Sequence, residues 1–294
     1  MAPYWRENQP SFPAFSPFFL PPPFGSLCPH SIEFIMKETL AKINRQLLMT
    51  LVVILLACSS TFAQAIKNVV LVHGAFADGS GWRGVYNILV KKGYHVVILQ
   101  EPLTSLEEDV KALRHELDQL DGPCILVGHS YGGAVITEGG NHPKVAGLVY
   151  VAAFQPDKGE SDLSLFQSAP VSPENGVMNP DDKGIVYVDK AKYASSFCQD
   201  IPKADAEFMA ASQGQFAAKC FGAQITDPAW RHVPAYGIVA TIDLTLNPDL
   251  ERRMYARSNT KVTEIKGSHC VYISQPLAVA DVIVKAATEV SAKQ

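Results

Sequence analysis

The stretch Gly128-His129-Ser130-Tyr131-Gly132-Gly133 has the residue types of a nucleophile turn. The apolar run Cys124-Ile125-Leu126-Val127 leads into it, and Ala134-Val135-Ile136 follows. This spacing predicts a strand that stops at a serine between two glycines and restarts as a helix, the G-x-S-x-G pattern. A turn that sharp pushes the serine hydroxyl out of the sheet. Glycine on either side removes the Cβ atoms that would clash where strand and helix cross. The backbone N–H of Tyr131 then stands at a helix N-terminus, where it can stabilise an oxyanion. Alone, the stretch is also compatible with a glycine-rich turn carrying a bystander serine.

Two more polar residues follow predicted strands. Ala235 to Thr241 reads as a strand ending at Ile242-Asp243, and Val262-Thr263-Glu264-Ile265 as a strand ending at Gly267-Ser268-His269. In an open parallel sheet the carboxyl ends of the strands are where active sites form. Ser130, Asp243 and His269 are therefore the candidate nucleophile, acid and base. In that arrangement Ser130 attacks a carbonyl, His269 carries its proton, and Asp243 orients the imidazole. Asp157 is the second candidate acid and Asp249 the third. Cys270 lies beside His269, but nothing in the sequence places a base for it. His73, His129 and His142 read as structural or loop histidines. The second oxyanion donor is expected from His73-Gly74-Ala75-Phe76, at the Ala75 N–H.

The elements that must position these residues alternate. Asn68–Val72 reads as a strand buried on both faces, followed by a helix over about 80–92 that stops at Gly93. His95–Leu99 reads as a second buried strand. Ser105 and Glu108 form a capping box for a helix with Leu106, Val110, Leu113, Leu117 and Leu120 on one stripe. After the Ser130 turn, Val145–Val151 is a fourth strand. The alternation predicts an α/β fold, a mostly parallel sheet flanked by helices. It breaks at Phe154. Residues 155–232 carry Pro, Gly and short helical pieces, and one piece, at about 203–220, holds Phe208, Met209, Phe216 and Cys220. We read this insertion as a small cap over Ser130, its aromatics either lining a pocket or anchoring the cap itself. Pro248–Arg257 is a short helix, and Ser274 is expected to cap a last helix whose inner face includes Leu277, Val282, Ile283 and Ala286.

The N-terminal part differs in texture. Residues 1–35 hold eight of the 20 prolines and are not expected to form a helix. From Met36, the basic Lys37, Lys42 and Arg45, the apolar run Leu47 to Ala57 and the small-residue site Ala63-Gln64-Ala65 read as a signal peptide over 36–65. The expectation is a start at Met36 and a secreted or periplasmic globular part over 66–294, without a stable membrane span. Leu55-Leu56-Ala57-Cys58 offers lipidation at Cys58 as a variant, and a membrane anchor is the alternative. Of the six cysteines in 294 residues, Cys198 and Cys220 are candidates for a disulfide. No cysteine or histidine spacing resembles a metal site. A net charge of −4 gives no basic surface for nucleic acid.

Over about residues 66–294 the chain resembles the α/β-hydrolase superfamily on the His73-Gly74 loop, the Ser130 turn, Asp243 and His269. The chain order Ser, Asp, His is the order of that superfamily. The short lead-in and compact cap resemble the branch of plant methyl-ester esterases, hydroxynitrile lyases and related bacterial hydrolases. The resemblance implies a serine hydrolase of small carboxylic esters that needs no cofactor. The lyases of that branch carry threonine in the oxyanion loop and lysine after the catalytic histidine. Gly74 and Cys270 occupy those places here, which favours an esterase. Many bacterial relatives carry Asp-Arg where this chain has Asp243-Leu244. A lyase, or a non-catalytic binding protein on the same fold, are the alternatives.

Overall fold

Every residue of Asn68–Val72 (β1) is buried, as a strand inside a parallel sheet must be. The computed structural model describes residues 29–57 and 65–293. The chain divides into two units, Met1–Phe62 and Ala63–Gln294. In the first, one helix spans Pro29–Ala57 (α1). It begins ahead of Met36, within the stretch expected to be non-helical. Pro29 stands at the helix start, where a missing N–H costs nothing. No helix among the described residues is long and apolar enough to cross a membrane. Residues 1–28, Cys58, Ala63 and Gln64 lie outside the described residues, and with them most of the proline-rich stretch, the lipidation site and the core of the cleavage site.

In the second unit, β1 leads through a turn of 3-10 helix to Arg83–Lys91 (α2), which ends at Gly93 with φ +85°. His95–Leu99 (β2) follows. It is not the buried strand expected: His95 is exposed and Val96 to Ile98 are half-buried, because β2 lies at the sheet edge. Leu106–Gln119 (α3) is capped by Ser105, whose hydroxyl accepts the Glu108 N–H at 3.3 Å, and its predicted apolar stripe is buried. Cys124–His129 (β3), Gly132–Gly139 (α4) and Val145–Val151 (β4) come next.

The cap between β4 and the next sheet strand is built of short pieces. These are Asp162–Gln167 (α5), Ile185–Val186 (β5), Lys190–Lys192 (α6), a π-helical turn Tyr193–Phe197, Lys203–Ala211 (α7), Phe216–Ala217 (β6) and Ala218–Gly222 (α8). The helix expected over 203–220 is thus two helices with a strand between them. Gly214 lies in the break, and β6 pairs antiparallel with β5. The sheet resumes with Ala235–Ala240 (β7), Pro248–Arg257 (α9) and Lys261–Ile265 (β8), then Val271–Ser274 (α10) and Pro276–Ser291 (α11). Ser274 does not cap α11. The N-cap is Gln275, Pro276 starts the helix, and the Ser274 hydroxyl donates to Asp200 instead. Leu277 is exposed, whereas Val282, Ile283 and Ala286 are buried.

The six strands run in the order β2-β1-β3-β4-β7-β8, and all five pairings are parallel. The chain moves one way from β1 to β2 and the other way from β2 to β3. Right-handed crossovers then place α2 and α3 on opposite faces. α11 packs with α2, and α4 with α3. The reversal between β1 and β3 opens a crevice at the carboxyl ends of those strands, where the Ser130 turn lies. Close packing on the α3/α4 side depends on Gly139, where a Cβ would sit 2.7 Å from Leu113 Cδ2. Leu113 is fully buried, so Leu113→Ala should destabilise the domain by about 2–5 kcal/mol, read as a lower urea midpoint at constant m-value. An unchanged midpoint would contradict this packing.

Candidate active site

Ser130 has φ +53°, the left-handed region that non-glycine residues enter at a cost of about 1–3 kcal/mol. The surroundings impose it. The Ser130 N–H donates to Val151 O at 3.3 Å, and its carbonyl accepts the N–H groups of Gly133 at 2.9 Å and Phe154 at 3.2 Å. The glycines allow the crossing. A Cβ on Gly128 would strike the Gly132 carbonyl, and one on Gly133 the Phe154 carbonyl. A Cβ on Gly132 would sit 2.5 Å from His73 O.

The loops after β7 and β8 meet this turn. His269 Nε2 lies 2.8 Å from Ser130 Oγ, and His269 Nδ1 lies 2.6 Å from Asp243 Oδ2. With the Nδ1 proton donated to the carboxylate, Nε2 is free to accept the serine proton. The second Asp243 oxygen accepts the N–H groups of Thr245 at 2.7 Å and Leu246 at 2.9 Å, which fixes the carboxylate. All three side chains are buried. Glu251 is buried nearby, and burial, reinforced by Asp243, pushes its pKa well above the usual carboxylate range. A neutral Glu251 spares the Asp243 carboxylate a like charge.

The other candidate acids do not reach His269. Asp157 pairs with Arg231 at 2.6 Å and Asp249 with Arg252 at 2.7 Å. Cys270 is fully buried, and burial raises its thiol well above its ordinary range. Cys198 and Cys220, the candidate disulfide pair, are both free and buried. The Cys198 thiol donates to Tyr193 O at 3.8 Å instead. Among the described residues, no group of three or more His, Cys, Asp or Glu is arranged to hold a metal ion.

Ala75 and Tyr131 both line the cleft with Ser130 and His269. The loop holding Ala75 is braced from behind. His73 Nδ1–H donates to Gly74 O at 2.9 Å, and Nε2 accepts the Glu101 N–H at 3.1 Å. The Glu101 carboxyl lies 3.3 Å from His73 Nδ1. Burial lowers the His73 pKa and raises that of Glu101, so this is a contact of neutral groups rather than an ion pair. The Tyr131 hydroxyl donates to Asp109 at 2.7 Å, which anchors the residue whose N–H begins α4.

The cleft encloses about 430 Å³, counting its mouth. Phe76, Phe154, Phe166, Phe216 and Phe221 line it, and no charged Asp, Glu, Lys or Arg does. Of the cap residues expected near Ser130, Phe216 faces the cleft. Phe208 is exposed and borders a separate surface groove with Met209, while Cys220 is buried behind the wall. Phe166, Phe221, Val177 and Val186 are lining residues that periodicity did not single out. The aromatic content of the cap was the only signal for Phe166 and Phe221, and Val177 and Val186 had none.

The sequence matches the Alpha/beta hydrolase family over residues 69–282, and the chain belongs to that family. Among characterised relatives, a carbendazim-hydrolyzing esterase of Nocardioides sp. (strain SG-4G) is 37% identical over 117 residues, 35% of this chain and 48% of that protein. A pyrethroid hydrolase of Sphingobium wenxiniae is 32% identical over 101 residues, 30% of this chain and 36% of that protein. The matched stretch thus spans half or less of each of these two relatives. The solved structure of a pyrethroid hydrolase from Sphingobium faniae JZ-2 shares the fold, with TM-score 0.65 and 23% identity over 76% of this chain and 98% of that one.

His129 supports the site without facing the cleft. Its Nε2–H donates to the His269 carbonyl at 2.9 Å, and its ring packs on His269 and Tyr272. Burial drives its pKa well below 6.5, and the neighbouring His269 adds to this. The folded state therefore binds fewer protons than the unfolded state below that pH. The stability involved is present above about pH 6.5 and is lost as the pH falls through it. Between about pH 5 and pH 7 the urea midpoint should rise more steeply in the wild type than in His129→Gln. Equal slopes would contradict a neutral His129.

Proposed function

We propose that this protein is a serine hydrolase that cleaves small, neutral carboxylic esters through an acyl-enzyme. The observation that carries the reading is the buried line from Ser130 Oγ through the His269 ring to Asp243, at 2.8 and 2.6 Å, opening on an apolar cleft. Ser130 Oγ attacks the ester carbonyl as His269 Nε2 takes its proton. The carbonyl oxygen, now anionic, is held by the N–H groups of Ala75 and Tyr131. The intermediate collapses, the C–O bond to the alcohol breaks, and His269 gives its proton to the departing alkoxide. A water then repeats the attack on the acyl group, frees the acid and returns the proton to Ser130. Asp243 holds the ring and stabilises the imidazolium throughout. Losing one oxyanion donor typically costs about 2.7–4 kcal/mol of transition-state stabilisation.

The phenyl-lined, uncharged cleft supports an apolar substrate. The names of the relatives, hydrolases of carbendazim and of pyrethroids, support hydrolysis of a small organic molecule. Gly74 weighs against lyase chemistry. A Cβ there would sit 2.7 Å from Ser130 Cβ, so a threonine at that place does not fit beside the serine. A non-catalytic binding protein is the remaining reading, and turnover decides it.

The protein should hydrolyse p-nitrophenyl acetate and butyrate. Ser130→Ala should lower kcat by about 10⁴- to 10⁶-fold, to the residue left by binding and the oxyanion donors. Asp243→Asn should cost up to about 10⁴-fold. Unchanged rates in Ser130→Ala would end the proposal, and a larger loss from Asp157→Asn than from Asp243→Asn would reassign the acid.

A further inference from the structure

One cap segment, Tyr193 to Asp200, touches the loop after β1 and the loops that carry Asp243 and His269. The Tyr193 hydroxyl donates to Phe76 O at 2.9 Å, next to Ala75. Gln199 Nε2 donates to Ile242 O at 2.6 Å, and the Thr245 hydroxyl donates to Ser196 O at 3.1 Å, so the loop is held on both sides of Asp243. Phe197 is fully buried and meets the His269 ring edge-on, with centroids 4.8 Å apart and planes at 67°. The segment includes the π-helical turn Tyr193–Phe197, a geometry that recurs at functional sites.

The tightest attachment is at its end. Asp200 Oδ1 accepts the Ser268 hydroxyl at 2.5 Å, and Oδ2 accepts the Ser268 N–H at 2.9 Å and the Ser274 hydroxyl at 2.7 Å. Ser268 Oγ in turn accepts the Cys270 N–H at 3.1 Å. One carboxylate of the cap thus holds Ser268 directly and the Cys270 N–H through the Ser268 hydroxyl, beside the Ile242 N–H bond to Gly267 O and the His129 bond to His269 O. Residues 266–268 have no regular secondary structure, and the last backbone bond from the β7 side reaches Gly267 O, one residue short of Ser268. Hydrogen bonds to a charged acceptor are about twice as strong as neutral ones.

We propose that Asp200 is a positioning residue: its carboxylate fixes the loop on both sides of His269, and through it the cap sets the distance between His269 and Ser130. Asp200 contacts neither Ser130 nor the cleft and acts only through the loop. The catalytic consequence rests on the triad reading above. A reacting group displaced by about 1 Å can cost about 100-fold in rate. The cap is then part of the catalytic frame as well as the wall of the substrate cleft.

The test uses two readouts on the full chain. In Asp200→Ala, kcat for p-nitrophenyl acetate should fall by about 10- to 100-fold with KM within about twofold, and Asp200→Asn, which keeps one acceptor oxygen, should lose less. The NMR pH titration of the His269 ring, which needs no substrate, should shift in Asp200→Ala. If that variant fails to fold, Ser274→Ala removes one donor and leaves both Ser268 bonds, and should lower kcat by about two- to threefold at constant KM. An unchanged kcat together with an unchanged His269 titration in a folded variant overturns the proposal, as does a loss confined to KM. A wild type that turns over no ester overturns the esterase reading instead, and the His269 titration then decides the role of Asp200 alone.

Discussion

The structure depends on the close crossing of β3 and α4 at Ser130. A serine held at φ +53° is strained, and three backbone hydrogen bonds to β4 and its exit loop and to α4 hold it there. The strain has a use. It lifts Oγ off the sheet toward the loops that leave β7 and β8, and it turns the first N–H groups of α4 toward the same space. Gly128, Gly132 and Gly133 are tied to this crossing because their missing Cβ atoms would collide with backbone carbonyls, which cannot rotate away as side chains can.

Around that crossing the domain buries titratable groups, and burial disfavours their charged forms. Burial raises Glu101, Asp109 and Glu251 and lowers His73 and His129. Of these, His73 braces the loop after β1, Asp109 the Tyr131 hydroxyl and His129 the His269 carbonyl with hydrogen bonds. The cap completes the arrangement from the other side. It supplies most of the aromatic wall, and its 193–200 segment ties together the loops that the sheet leaves free.

Ser130, Asp243 and His269 were legible as candidates because each lies within a few residues of a strand end, and strand ends can be read from local composition. Their convergence depended on the strands running parallel in one sheet, which the alternation of elements implied. The edge position of β2 was not legible, since His95–Leu99 is as apolar as an interior strand and only pairing shows which side lacks a neighbour. The cap was misread at 203–220 because Ser212-Gln213-Gly214 interrupts a run whose apolar spacing continues across it. Ser274 has the residue type of a helix cap, but a carboxylate 74 positions away in sequence takes its hydroxyl. Asp200 itself carries no sequence signal, as its role exists only once the cap is folded over the β8 loop.

The central claim is that Ser130 is a nucleophile activated by His269. Incubation of the protein with a fluorophosphonate, followed by peptide mass mapping, tests it most directly. The account predicts one adduct per chain, on Ser130, formed far more slowly in His269→Ala. An unlabelled protein, or an adduct on another residue, would contradict it.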